Sequence, residues 1–338
     1  VAAVEVAGIS LVTALSLADA TRLWHLAAVA LVTGAGMAFY YPAYTAWLPS
    51  LVPPSDLMAV NGIEGVVRPT IGQALGPGLA GFVVGVASSG AAAGVAAAAA
   101  SAGLLALASV PFTPGAHEPE TRTGRARVGA VFVDLREGVA YLVRTPWLLA
   151  TLLFASVMVL AVMGPLQVLI PFLVRDRLGG GPSHHAAVTA AFGIGGAAGS
   201  FVMGSLRMPR RYLTVMNLTW GVGCLPLLVI GLASNVGTVV VAAFVLGAMF
   251  SAPMVIWGTL LQRRVPPHLL GRVASLDFFV SLSLMPVSMA VAGPVSDLIG
   301  VRNTFALAGL VPIVAAVVAT IAARLPADEL AHPLVDDD

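Results

Sequence analysis

Glu64 and Arg68 stand four residues apart inside a run that is otherwise apolar from about Leu57 to Ala87. At this spacing two opposite charges share one helix face, and an acid on the N-terminal side is the favourable order for a pair. Charges at membrane depth are costly and usually face a protein interior or a water-filled path. At about 1.5 Å per residue, Arg68 lies roughly 16 Å in from Leu57, near the middle of a bilayer. Two chemistries are open to such a pair. It is either a permanent ion pair that makes the span insertable, or a switch that opens when Glu64 takes a proton and frees Arg68 for an anionic group or a second acid. Asp277 is an acid in another span; it has Val273 and Ser281 four residues away and is expected to reach water or Arg272.

The remaining reactive side chains point to less. His184 and His185 flank a glycine-rich turn, but adjacent histidines rarely hold one ion, so no metal site is expected. Gln167, Trp220, Trp257 and Gln262 are candidates for substrate contact, or for helix–helix contacts and interfacial anchors. Phe192 to Ser200 resembles a nucleotide loop only in its glycines, and no Walker pattern occurs, so transport without ATP is expected. The single cysteine, Cys224, excludes an intramolecular disulfide and a cysteine metal cluster. No cofactor is expected.

The elements that carry these residues follow from composition. Of 338 residues 58% are hydrophobic and 10% charged, which places the chain among membrane proteins. Ten apolar segments of spanning length follow one another, at about 1–17, 23–47, 57–87, 89–110, 147–174, 185–206, 212–233, 236–261, 270–299 and 302–324. They lack the alternation of barrel strands and read as helices. All 17 basic residues are arginine. Twelve, including Arg207, Arg210 and Arg211, lie in the loops after the second, fourth, sixth and eighth segments and in the C-terminal flank; four lie in the opposite loops. The excess places the first set, with both ends of the chain, in the cytoplasm.

Residues 1–110 hold four segments, 111–146 a cytoplasmic linker, 147–326 six segments and 327–338 a cytoplasmic tail. In the linker, Phe132, Leu135, Val139 and Leu142 have helical spacing and predict an amphipathic helix along the membrane surface. Val52-Pro53-Pro54 recurs as Val265-Pro266-Pro267, each copy after a proline-bearing span and before one with a later Gly-Pro. This repeat pairs the third segment with the ninth and Glu64 with Asp277. Six-helix repeats are a transporter architecture, and counting back from them predicts that two spans precede Val1. Within the third segment, Gly72 and Gly76 would let a neighbouring helix approach, and Pro77 removes a backbone donor and invites a bend before Gly81.

YPAYTAWLPSLVPPSDLMAVN, LGPGLAG, DLREGVAYLVRTPWLLATLL and LLQRRVPPHLLGRVASLDFF resemble the major facilitator superfamily, in particular bacterial drug and siderophore exporters of the enterobactin-exporter and macrolide-efflux type. The resemblance implies an all-α polytopic fold of two six-helix repeats, of which this chain holds the third to twelfth spans. Gly72, Gly76, Pro77, Ala80 and Gly81 are similar to the fifth-helix signature of the family's proton antiporters, although Ile63 stands where that pattern has an earlier glycine. Gly204 to Arg211 keeps the basic cluster of a family loop but has no aspartate. The resemblance implies proton-driven export of a small amphiphilic compound from the bacterial cytoplasm by a monomer in the inner membrane. Its expected partners are that compound, protons and the lipid bilayer, with no nucleic acid. A lipid or lysolipid flippase of the same fold is the alternative. From other classes the alternatives are a membrane-embedded enzyme, for which no nucleophile or histidine–acid cluster is present, and a non-transporting sensor.

Overall fold

The computed structural model describes residues 1–110 and 125–334, which are helical apart from short turns. The first four rods are α1 (Ala2–Leu17), α2 (Leu23–Trp47), α3 (57–86) and α4 (Ser89–Ser109). The linker helix α5 (Arg125–Arg144) follows, and then α6 (Pro146–Arg177), α7 (Pro182–Gly204), α8 (Tyr212–Leu232), α9 (Val236–Arg264), α10 (Pro267–Ile299), α11 (Val301–Ala322) and the short α12 (Leu325–Ala331). Eight of these are long and apolar enough to cross a membrane, α1 is a shorter apolar helix, and α3 carries the charge pair. The ten expected segments are all present as helices. Their ends are set by local chemistry. Ser88 and Asn235 accept from backbone amides three residues on and so cap α4 and α9. Gly300, at φ 84°, breaks α10 from α11, and Arg324, at φ 49°, turns the chain into α12.

The close-packed core belongs to α6–α11, where Phe154, Tyr212, Met216, Ile256 and Phe305 are fully buried. In α1–α4 apolar side chains such as Leu17, Leu23 and Phe82 point outward, which lipid tails solvate without penalty. Between the two sets of helices the contacts are reciprocal. The first part of α3 packs on α7 and α9, while α10 packs on α2. The 213-residue interval between the two Val-Pro-Pro turns relates α2 to α9 and α3 to α10, so these are two versions of one contact, as in a repeat with a pseudo-twofold axis.

Helix α3 is not uniform. Pro69 ends its first part, Thr70–Leu75 winds as a π-helical turn, and an α-helix resumes at Gly76. A proline followed by a π turn is a standard cause of a bend. The second part packs on α4 rather than on the later helices. This corrects the expected place of close approach: a Cβ on Gly72 would meet nothing within 4 Å, and one on Gly76 would meet only Ile71 of its own helix. The tight contact lies two to three turns before Gly72, at Gly62 and Gly65, where the first part of α3 packs on α7. The side chains at Pro77 and Gly81 lie outside the described ones.

The amphipathic helix starts at Arg125, earlier than the pattern suggested, and the linker's 111–124 stretch lies outside the described residues. Helix α5 docks on α10: Glu137 pairs with Arg272, and Gly138 lets the Arg272 stem come close. Leu135 and Val139 stay exposed on it, while Leu142 is half-buried against the core. Helix α12, which crosses from the expected bundle into the expected tail, is also docked. Glu329 is 1% exposed and accepts from Leu213 N (2.9 Å), Thr214 N (3.1 Å) and Thr214 Oγ1 (2.8 Å) at the start of α8. Asp328 pairs with Arg264, whose guanidinium also lies over the Trp147 ring.

Candidate functional site

The sequence Tyr40-Tyr41-Pro42-Ala43-Tyr44 puts three phenol rings on adjoining turns of α2. Tyr40 and Tyr44 share a face at i and i+4 and stack nearly parallel, with centroids 6.1 Å apart. Tyr41 meets Tyr40 edge-on at 5.5 Å and reaches across to Phe278 of α10 at 5.0 Å. Facing these rings, α3 presents Val60, Ile63, Glu64, Val67 and Arg68. The two surfaces line an open cavity of about 370 Å³.

Glu64 and Arg68 form the ion pair expected from their spacing. The Arg68 guanidinium also lies over the Tyr41 ring, 4.5 Å from its centroid. A cation over an aromatic face is worth about 0.5–2 kcal/mol. Arg68 therefore has a second partner on α2, and the pair can separate without leaving the guanidinium bare.

Asp277 does not join this cluster through Arg272, which is held by Glu137 instead. It accepts from the Trp257 indole nitrogen at 3.0 Å, so the expectation of water or Arg272 as partner is corrected. The reason is local: α9 and α10 are joined by a tight Val-Pro-Pro turn that holds Trp257 beside Asp277. The neighbouring Phe278 is the ring that meets Tyr41, so the repeat-related acid sits one residue from the wall of the site.

Trp220 is 4% exposed and donates to Phe250 O at 2.8 Å, which makes it helix-contact glue. Gln262 is spent on a contact to Asn61, and Gln167 is exposed in a π-helical turn of α6. Arg207, Arg210 and Arg211 are exposed in the 205–211 connection, next to the start of α8 where α12 docks. His184 accepts from Gly181 N at 3.1 Å at the start of α7. Sequence reasoning missed the three tyrosines and Asn61. The available signals were three phenols within five residues of an apolar span, and an amide inside another.

A polytopic bundle with reciprocal repeat contacts and a charged, aromatic-walled cavity between α2 and α3 defines a transporter of the major-facilitator class rather than an enzyme. The chain belongs to the family described as transmembrane secretion effector, which it matches over residues 1–334. It is 24% identical over 299 residues to macrolide efflux protein A of Streptococcus pyogenes, covering 88% of this chain and 72% of that protein. It is 26% identical over 317 residues to the multidrug efflux pump Tap of Mycolicibacterium fortuitum, covering 91% of this chain and 75% of the relative. Tap of Mycobacterium tuberculosis is 27% identical, with 95% of this chain and 75% of that protein covered.

Proposed function

We propose that this chain is an exporter of the bacterial cytoplasmic membrane that exchanges a small amphiphilic compound for protons by alternating access. Residues 1–110 and 147–326 act as the two moving halves, with the linker and the C-terminus in the cytoplasm. The observation that carries this reading is the Glu64–Arg68 pair inside a tyrosine-walled cavity. Protonating Glu64 releases Arg68 onto Tyr41 and changes the charge of the cavity wall while the rings stay in place to hold an apolar or aromatic body. The macrolide and multidrug exporters among the relatives support a drug-like compound as substrate.

The test uses everted membrane vesicles, with ethidium and radiolabelled erythromycin as probes and an imposed pH gradient as the driving force. Glu64→Gln imitates the protonated acid and cannot release the proton. It is expected to abolish gradient-driven uptake while leaving passive exchange of the probe. It also strands Arg68, so Glu64→Gln with Arg68→Gln separates stability from coupling. The double variant is expected to recover folding alone. Recovery of gradient-driven uptake by the double variant would make the pair purely structural.

A further inference from the structure

The tightest junction between the two sets of helices lies beside this cavity, and the transport reading does not use it. Asn61, on α3 one turn before Glu64, is 9% exposed. Its amide nitrogen donates to Leu57 O at 2.7 Å in its own helix and, across the junction, to Gln262 Oε1 at 2.8 Å and Thr259 Oγ1 at 3.2 Å of α9. Around it the backbones touch. A Cβ on Gly62 would lie 2.5 Å from the Gly204 Cα, one on Gly65 2.5 Å from Ser200 Oγ, and one on Gly258 2.7 Å from Asn61 Oδ1. Nothing passes between surfaces this close.

The repeat-related junction is different. The 213-residue interval carries Thr259 onto Ala46 and Asn61 onto Ala274, so the matching contact between α2 and α10 has no amide and no hydroxyl at those positions. There a Cβ on Gly271 would meet the Ala46 Cβ at an ordinary 3.7 Å. One junction is thus polar and interlocked, and its counterpart has only alanines at the matching positions.

The interlocked junction also carries a built-in penalty. Ser200 is fully buried, and its hydroxyl has no hydrogen-bond partner. A buried unsatisfied hydroxyl opposes the closed arrangement, and separating the helices would let water satisfy it. The Asn61 amide and the Ser200 hydroxyl thus act in opposite directions on the closed junction.

We propose that Asn61, gripping Thr259 and Gln262, is the latch of a gate that closes the Val-Pro-Pro end of the pathway. Because Asn61 sits one turn from Glu64 on the same rigid segment, before the π turn, a rearrangement at the charge pair moves the latch with it. Asn61 is a positioning residue here and touches no substrate in the proposal. The inference rests on the alternating-access reading above, and its test reads the gate without a substrate.

Ala46→Cys with Gly271→Cys, in a Cys224→Ala background, puts a reporter disulfide on the apolar counterpart junction. The 3.7 Å separation suits a disulfide. A protease site within 111–124 lets a non-reducing gel count linked chains in membranes treated with copper phenanthroline. The parent is expected to link readily. Asn61→Ala is expected to slow linking about tenfold, the scale of two lost neutral hydrogen bonds. Thr259→Val should also slow it, by less because it removes one of those two bonds, and should add little to Asn61→Ala. That non-additivity separates loss of a latch from general misfolding. Gly62→Ala, which wedges the backbones apart, should slow linking with Asn61 in place. Linking of Asn61→Ala at the parent's rate overturns the latch. Continued gradient-driven ethidium movement by fully linked protein overturns alternating access instead, and leaves the latch standing if its variants behave as expected.

Discussion

Glu329→Ala tests the claim that α12 is a structural part of the bundle. The Glu329 carboxylate accepts from the second and third amides of α8, two donors that the helix itself leaves without partners, and from the Thr214 hydroxyl. Its charge is balanced by the positive end of α8. Truncation to alanine removes three hydrogen bonds and leaves two amides orphaned at a site that is 1% exposed. A lost helix cap costs about 0.5–2 kcal/mol and each buried orphan about 1–3 kcal/mol. Allowing for some entry of water, the loss should be about 3–4 kcal/mol, or for a chain of this length a fall in apparent Tm of about 5 °C. Glu329→Gln keeps one acceptor and should lose less than half of that. Cys224 supplies the assay, because it is the sole cysteine, is 1% exposed and stands at the middle of α8, so a thiol-reactive dye reports the melting of the helix in question. A Glu329→Ala protein melting within about 1 °C of the parent would refute the reasoning, since it would mean that α12 is not seated on α8.

Two further predictions use the same dye assay. A Cβ on Gly164 would lie 2.3 Å from Ser288 O, while one on Gly72 would meet nothing within 4 Å. Gly164→Ala should therefore cost about 2–3 kcal/mol or prevent folding, and Gly72→Ala should be near neutral; equal melting of the two would contradict the packing. Trp257→Phe removes the donor to Asp277 and should cost about 1–3 kcal/mol, whereas Asp277→Asn, whose amide oxygen still accepts from the indole, should lose less. The opposite order would mean that this hydrogen bond does not hold α9 to α10.

The spans were legible because membrane solvation is a local property: a run of apolar residues of sufficient length declares itself without knowledge of its neighbours. The Val-Pro-Pro repeat was legible for a related reason, since proline turn chemistry acts over a few residues. The Glu64–Arg68 pair followed from helical spacing alone. What failed to show was everything decided between distant segments. Asn61 meets partners 198 and 201 residues away, and Asp277 takes Trp257 rather than the nearer-seeming Arg272. The Gly72–Gly76 pattern was misleading because small residues in sequence do not tell which of them a neighbouring helix will cross. The tyrosines of α2 looked like ordinary aromatic residues of a span until α3 was set opposite them.

The contact between Gly62 and Gly204 has a consequence for genetics. Most steric conflicts in a protein can be relieved by trimming the opposing side chain, so a second-site suppressor is found across the contact. Here a Cβ on either residue meets the main chain of the other, and no amino acid is smaller than the one already present. Suppressors of Gly62→Ala cannot arise at position 204. They must come from changes that tilt or slide α7 as a whole, at positions scattered along the helix and remote from the original lesion. The two glycines are locked to each other without being able to compensate for each other, and lineages that carry the pair should lose it only together with the close crossing of α3 and α7.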